Sequence, residues 1–370
     1  MHFGTLVNCR PYHTVLPVAQ RSMTEVYQQW QARIAYYHFK RRHEEHNRRS
    51  GCVGGFTRLL STAGAQNDSI MAEMPTLVVS LLRPGGACNE CDHGFVVMNR
   101  PFAMRQFFRS SYYAALPEQY LFIMEPDHLL LHLPVNSATQ TRPVAFGFYY
   151  MTVKYDPPKL RPVIEKFFPN ATAVQPVGPS PLLVYRPQME AMLPSWWRLC
   201  LTLKRDADAD RAFGWVLEMW GYAINAARLG MHHQILETFQ AEPAGVGIEH
   251  EERFDLYHYT FDLDDGHSWR FSKRDYISNY PPRLAMPPAA MGHSSRTFVQ
   301  MINTAIDEIE DWPASKPESV SSFCSAVKGT RQCIGWARSG ECIRNPGYML
   351  RSCKAACDDC KHQARRYEVG

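Results

Sequence analysis

The sequence predicts an α/β protein, a sheet covered by helices on both faces, followed by a small unit stapled by cysteines. Three observations carry this expectation. Short apolar runs of strand length alternate with amphipathic segments of helix length. The 370 residues exceed what one simple core usually organises, so one large domain plus a smaller unit is expected. Six of the eleven cysteines crowd between Cys324 and Cys360, a segment too short to build a core of its own.

The elements follow in order. "HFGTLVNC" (2–9) reads as a buried strand. A helix then opens on a capping box, Ser22-x-x-Glu25, and carries an apolar stripe of Val26, Trp30, Ile34 and Tyr37. "HFKRRHEEHNRR" closes it as a solvated, basic helix end. "TLVVSLL" (76–82) and "YLFIM" (120–124) are further strands. A second helix is expected from about Arg211 to Leu229, with Phe213, Val216, Trp220 and Ala223 inward. "FDLYHYTF" (254–261) alternates like a strand, and the proline-rich "YPPRLAMPP" (280–288) should wrap the domain as extended coil. A third helix follows Ser294-Ser295 with Phe298, Met301, Ile302, Ala305 and Ile309. The boundaries expected are a main domain at 1–311, a linker at 312–323, the cysteine unit at 324–360 and a tail at 361–370.

Composition narrows the function. Lys plus Arg exceeds Asp plus Glu by 40 − 36 = 4, too little to argue for nucleic acid or a membrane surface. No run approaches the ~18 apolar residues of a transmembrane helix, and the N-terminus lacks the plan of a signal peptide. The cysteine cluster could hold zinc through Cys357-x-x-Cys360-x-His362, but its upstream spacings supply no second close pair, and disulfides are the preferred reading. Sequons at Asn67 and Asn170 point the same way, toward an oxidising secretory compartment with targeting residues outside this chain.

The chemistry is expected where the strand "YLFIM" runs into Glu125-Pro126-Asp127-His128. In an extended backbone Glu125 and Asp127 would face the same way, and a divalent cation would relieve their repulsion. Ordinary turn chemistry explains the same residues. Magnesium or manganese held by oxygen ligands is commonly completed by substrate phosphates, which suggests a nucleotide diphosphate. His128 would favour manganese if its imidazole reached the ion. His258, between two tyrosines, is a ligand candidate or a satisfied core histidine. Arg270, Lys273 and Arg274 could hold phosphates, or balance Asp262, Asp264 and Asp265. On the second helix Asp210, Gly214 and Glu218 would share one face, with Asp210 placed as an N-cap. Glu218, among Trp215, Met219 and Trp220, is either buried and partnered or catalytic.

These residues resemble the plant and algal hydroxyproline O-arabinosyltransferases. Ordered blocks carry the resemblance: "QWQARIAYYHFKR", "GGFTRLL", "EMPTLVV", "VVMNRPFA", "MEPDHLLL", "PVGPSPLLV", "AFGWVLEMWGYA", "HYTF", "WRFSKR" and "PPR". The region around Cys88-Asn89-Glu90-Cys91 and the short "FDLDDGHSW" depart from it. The resemblance implies a GT-A-type, Rossmann-like nucleotide-sugar-binding domain. It would move L-arabinofuranose from UDP-β-L-arabinofuranose to a hydroxyproline hydroxyl of a secreted or cell-wall polypeptide, with retention and Mn2+, in the Golgi lumen. It makes Asp127 and His258 metal ligands and lets Glu125 support them or touch the ribose. It places Asn8 and Arg10 near the uridine, Asn99, Arg100 and Gly178 along the donor site, and Arg270 and Lys273 on the diphosphate. Glu218 and Asp210 are the candidates for orienting acceptor or sugar. "CIGWARSGECIRNPGYM" and "CKAACDDC" resemble an ShK-type domain, which implies the pairs Cys324–Cys360, Cys333–Cys353 and Cys342–Cys357. Counting alone allows 15 arrangements. Gly347 stands before Tyr348 where channel-blocking members carry lysine, so toxin activity is not expected, and a stapled spacer is preferred to a substrate-docking module.

Three alternatives compete. A non-haem iron oxygenase would need a His-x-Asp/Glu pair, and His43-Glu44-Glu45 and His250-Glu251-Glu252 match only in charged surroundings. A closer alternative is another retaining UDP-sugar transferase, such as one adding galactose to serine, and the non-enzymatic alternative is a cell-wall glycopeptide-binding protein. Among Cys9, Cys52, Cys88, Cys91 and Cys200, the odd count requires one unpaired in the chain or a bond between chains.

Overall fold

The computed structural model describes residues 10–20, 26–50, 54–85, 91–243 and 253–314, and near the C-terminus Cys333, Ala337 and 353–357. The strand expected at 2–9, Asn8 and the capping box Ser22/Glu25 lie outside the described residues. The first described strand is β1, Tyr12–Gln20. Pro17 sits inside it, beyond the stretch that pairs with the neighbouring strand at residues 120–123, where a proline is tolerated.

Helix α1 (Tyr27–Ser50) leads to β2 (Phe56–Thr62) and β3 (Thr76–Ser80). Helices α2 (Asn99–Phe107) and α3 (Ser111–Ala114) precede β4 (Tyr120–Ile123), β5 (His128–Leu130) and β6 (Val144–Gly147). Helix α4 (Pro157–Glu165), β7 (Val177–Tyr185) and helices α5 (Arg186–Arg205), α6 (Ala207–Phe213) and α7 (Leu217–Arg228) follow. Short strands β8 (Gln234–Ile235), β9 (Gln240–Ala241), β10 (Leu256–His258), β11 (Leu263–Asp264) and β12 (Arg270–Phe271) then lead to α8 (Gly292–Glu308).

The central sheet runs β3-β2-β1-β4-β7-β6-β8. Strands β1 to β4 pair in parallel, while β7 is antiparallel to both β4 and β6. Side-chain alternation builds a core on each face. Val15, Leu59, Leu121 and Leu182 join the core with Met104, Trp196 and Trp220, residues of α2, α5 and α7. Leu16, Leu60, Phe122 and Leu183 face the other way, against Ala32, Ala35 and Phe39 of α1. The expected α/β layering with helices on both faces is therefore present. A third cluster joins Trp30, Ile34 and Tyr37 of α1 to Tyr257, Tyr259 and Phe271, and to Phe298 and Ile302 of α8. The stripe read from the sequence thus faces a second, smaller sheet, β5-β10-β9, rather than the main one.

Two expectations need correction. The helix expected over 211–229 is broken at Gly214, whose φ of 52° and ψ of −127° end α6. Asp210 and Glu218 therefore belong to different helices, and the N-cap of α6 is Asp206, which accepts from the amides of Asp208 and Ala209. Trp312, expected to open the linker, is packed on the main body instead. Its indole donates to the Pro281 carbonyl at 2.9 Å, and its ring meets Tyr280 edge-on at 4.9 Å.

Candidate active site at the end of strand β4

Strand β4 ends and the chain turns at once, because the His128 amide donates back to the Glu125 carbonyl at 3.0 Å. Proline at the second position and aspartate at the third suit such a turn. The turn replaces the extended geometry expected for Glu125 and Asp127, so the two carboxylates do not converge on one point. They serve two adjoining clusters instead.

Asp127 belongs to the first cluster. Its Oδ2 lies 3.5 Å from His258 Nε2 and accepts a hydrogen bond from the Lys273 ammonium. Strands β5 and β10 pair antiparallel with His128 directly opposite His258, so both rings stand on one face. Their centroids are 4.5 Å apart at 77°. Ligand atoms of Asp127, His128 and His258 all lie within 4.8 Å of one another. Burial alone would raise the Asp127 carboxyl, but the Lys273 and His258 charges hold it well below the usual carboxylate range. Burial lowers His128 far below an ordinary histidine. The same burial opposes charge on His258, yet Asp127 raises it.

This cluster fits a divalent cation. One carboxylate and two imidazoles form a mixed oxygen and nitrogen donor set of the kind that holds a divalent metal ion. Each ring keeps a buried nitrogen without a protein partner, Nε2 of His128 and Nδ1 of His258. Nδ1 of His128 accepts from the Glu125 amide at 3.2 Å.

The second cluster is centred on Arg100, whose side chain bridges Glu125 at 2.9 Å and Glu218 at 3.2 Å. Glu218 is fully buried in the first turn of α7 and leaves Oε1 without a partner. Gly178 of β7 packs against the next residue of α7, where a Cβ would meet the Met219 side chain at 2.8 Å. Glu242 and Tyr150 sit at the margins: Glu242 feels the charges of Asp127, His258 and Lys273, and Tyr150 feels those of Glu125, Glu242 and Arg100. Sequence reasoning missed both. Glu242-Pro243 follows a short strand just as Glu125-Pro126 does, and that acid-proline step could have flagged it.

Other candidates are placed elsewhere. Arg10 precedes β1, which runs parallel to β4 with Tyr12 opposite Tyr120, so Arg10 stands at the opposite end of the sheet from Asp127 and donates to the Ala138 carbonyl. It cannot meet a ligand held at Asp127, and that expectation is corrected. Asn99 spends its amide on the backbone of Leu82 and Val96. Asp210 pairs with Lys204 at 2.6 Å. Arg270 is about half exposed and pairs with Asp262 and Asp275, each at 3.2 Å. Lys273 alone of the three cations in that segment bonds to Asp127.

Comparison with known proteins decides the family. Residues 12–235 match the hydroxyproline O-arabinosyltransferase family N-terminal domain, and residues 256–313 match the C-terminal domain of the same family. The chain belongs to the hydroxyproline O-arabinosyltransferase family. Its similarity to Hydroxyproline O-arabinosyltransferase 3 of Arabidopsis thaliana is 34% identity over 317 residues, covering 82% of each chain. To Hydroxyproline O-arabinosyltransferase RDN2 of Medicago truncatula it is 33% over 326 residues, covering 84% of each. A glycosyltransferase involved in the glycosylation of the major capsid of PBCV-1 aligns over 68% of this chain and 95% of that one. Its TM-score of 0.33 and 10% identity are too low to carry inference. In this family member the cluster crosses the two matched regions, with Asp127 and His128 from the first and His258 and Lys273 from the second.

In the C-terminal segment Cys333 bonds to Cys353, as the ShK-type resemblance implies, with Cα atoms 5.1 Å apart. Cys357 is also disulfide-bonded, while Cys324, Cys342 and Cys360 lie outside the described residues, as does His250. Cys91 is disulfide-bonded too, and Cys200 is the free, buried cysteine among those described.

Proposed function

We propose that this protein transfers L-arabinofuranose from UDP-β-L-arabinofuranose to hydroxyproline hydroxyls of secreted polypeptides, with retention at the anomeric carbon and a divalent ion, Mn2+, as cofactor. Family membership supports the reaction class. The single observation that carries the chemistry is the grouping of Asp127, His258 and the Lys273 ammonium at the end of β4, where ligands of α/β sheets bind. In this reading the domain is GT-A-type, and Asp127 and His258 would hold the ion with His128 in reach. A bound ion would stabilise the charge that develops on the diphosphate as the sugar departs.

The side chains divide the remaining work. Lys273 brings a second positive charge to the same point, and its nearly closed-off setting makes that charge count. Arg100, fixed between Glu125 and Glu218, presents a cation whose direction two carboxylates determine. Glu218 offers a buried carboxyl oxygen with no protein partner, which suits it to hold a sugar or acceptor hydroxyl. Asp210 and Arg270, held in separate ion pairs, have no part in this reading. The cysteine segment is read as an ShK-type stapled spacer, and its Cys333–Cys353 bond supports work in the secretory lumen, in the Golgi.

Release of UDP is the test, with a hydroxyproline peptide, UDP-arabinofuranose or UDP-galactose, and Mn2+ or a chelator. The expected result is turnover with the arabinofuranose donor that the chelator abolishes. Asp127→Asn should lower it at least about a hundredfold. That variant strands the Lys273 charge, so Asp127→Asn with Lys273→Met provides a charge-balanced partner that should fold well and remain inactive. Turnover of UDP-galactose alone, or full activity in the balanced double variant, would overturn the proposal.

A further inference from the structure

His258 is the last residue of β10, so whatever fixes the chain just beyond it decides where that ring points. Both neighbours of β10 are short: β5 has three residues and β9 has two. Strands this short hold an end weakly unless further bonds continue the pairing. On the β5 side they do. The Tyr259 amide donates to the Asp127 carbonyl at 3.2 Å, and the Tyr259 hydroxyl donates to the Pro126 carbonyl at 3.4 Å.

On the β9 side the ladder stops. Leu256 pairs with Gln240 and Tyr257 with Ala241 in parallel, which brings Glu242 level with His258. Pro243 comes next, and a proline has no N–H to carry the pairing on. Successive amides of an extended chain point to opposite sides, so the Thr260 amide faces away from β5 and needs an acceptor there. The Glu242 side chain supplies it, with Oε2 accepting from Thr260 at 3.3 Å. Glu242 is itself anchored from behind. The buried Ser294 and Ser295 hydroxyls, in the first turn of α8, both donate to the Pro243 carbonyl, at 3.1 and 2.8 Å. The end of β10 is thus gripped from two sides, by the Asp127 turn and by Glu242.

We propose that Glu242 is a positioning residue for His258: through the Thr260 amide it holds the end of β10 so that the imidazole stays aimed at Asp127, 3.5 Å away. This rests on the reading of Asp127 and His258 as ligands of a divalent ion, and not on the identity of the sugar or acceptor. Groups that orient a metal ligand without touching the ion account for roughly ten- to a hundredfold in metal affinity. Glutamine separates this role from a purely electrostatic one, because it keeps an accepting carbonyl oxygen and loses the charge.

The test is Mn2+ binding to the full chain, followed by electron paramagnetic resonance of the free ion, together with amide hydrogen exchange over residues 256–261 in metal-free protein. Glu242→Ala should weaken Mn2+ about tenfold and speed exchange at Thr260 about tenfold, with the melting temperature little changed. Glu242→Gln should stay within about twofold of the wild type in both measurements, since the acceptor oxygen remains. Wild-type exchange or wild-type Mn2+ affinity in the alanine variant overturns the proposal. A glutamine variant as impaired as the alanine one overturns it too, because charge and not position would then be what Glu242 supplies. A wild type that binds no Mn2+ sinks the metal reading separately, and the exchange rates still decide whether Glu242 grips β10.

Discussion

Glu218 carries a cost that can be measured. Burial pushes its carboxyl up to about 7, with Arg100 pulling it down and Glu125 pushing it further up. The folded chain therefore holds a proton that the unfolded chain releases near the ordinary value of 4.5. Stability from this group is present at low pH and is lost as pH rises through that window. Glu218→Gln removes the titration. The urea midpoint of the wild type should fall more between pH 5 and pH 8 than that of the variant, by a difference of up to roughly 3 kcal/mol in stability. Parallel curves for the two proteins would show that Arg100 cancels the burial cost. Asp255, also pushed up to about 7 by burial, acts in both proteins and drops out of the comparison.

Helices α5 and α7 cross behind the site at one close contact, and it sets where Glu218 points. A Cβ on Gly221 would meet Cys200 Sγ at 2.5 Å, so the glycine lets the two helices approach. Trp196 and Cys200 of α5 both reach the Glu218 carbonyl, at 3.2 and 3.8 Å. Gly221→Ala gains about 1 kcal/mol of helix propensity but overpacks a closed core, which costs roughly 1–3 kcal/mol. The clash should win and lower the melting temperature. Cys200→Ala vacates the space, so adding it to Gly221→Ala should recover part of the loss, and a double-mutant cycle by thermal melting would show the coupling. Independent, additive effects would mean that the helices separate freely.

On the scale of the whole molecule, the main body ends later than its sequence pattern suggests. Arg33 of α1 donates to the Glu310 carbonyl at 2.7 Å and lies over the Trp312 ring at 5.4 Å. These contacts tie the end of α8 to the helix that backs β5 and β10. A chain ended after residue 314 should keep UDP-releasing activity and its melting temperature within a few degrees, whereas one ended after Glu308 should melt clearly lower. Loss of activity in the longer form would instead give the cysteine segment a part in the reaction.

Much of this could be read from the chain alone. Trp30, Ile34 and Tyr37 announced a packed helix, and "MEPDHLLL" with "HYTF" announced Asp127 and His258, because local periodicity and short motifs are written in neighbouring residues. Three things could not be read. Gly214 needed its positive φ to show that one helical pattern holds two helices. Arg10 needed the parallel register of β1 and β4 to show that it stands at the far end of the sheet. His128 needed its place opposite His258 to show that it joins the cluster. The amino-acid sequence determined the α/β class, the helix faces and the chemical types at the site. Tertiary structure decided which of those types meet, because a meeting between residues more than a hundred positions apart depends on strand register and helix direction, which no local stretch encodes.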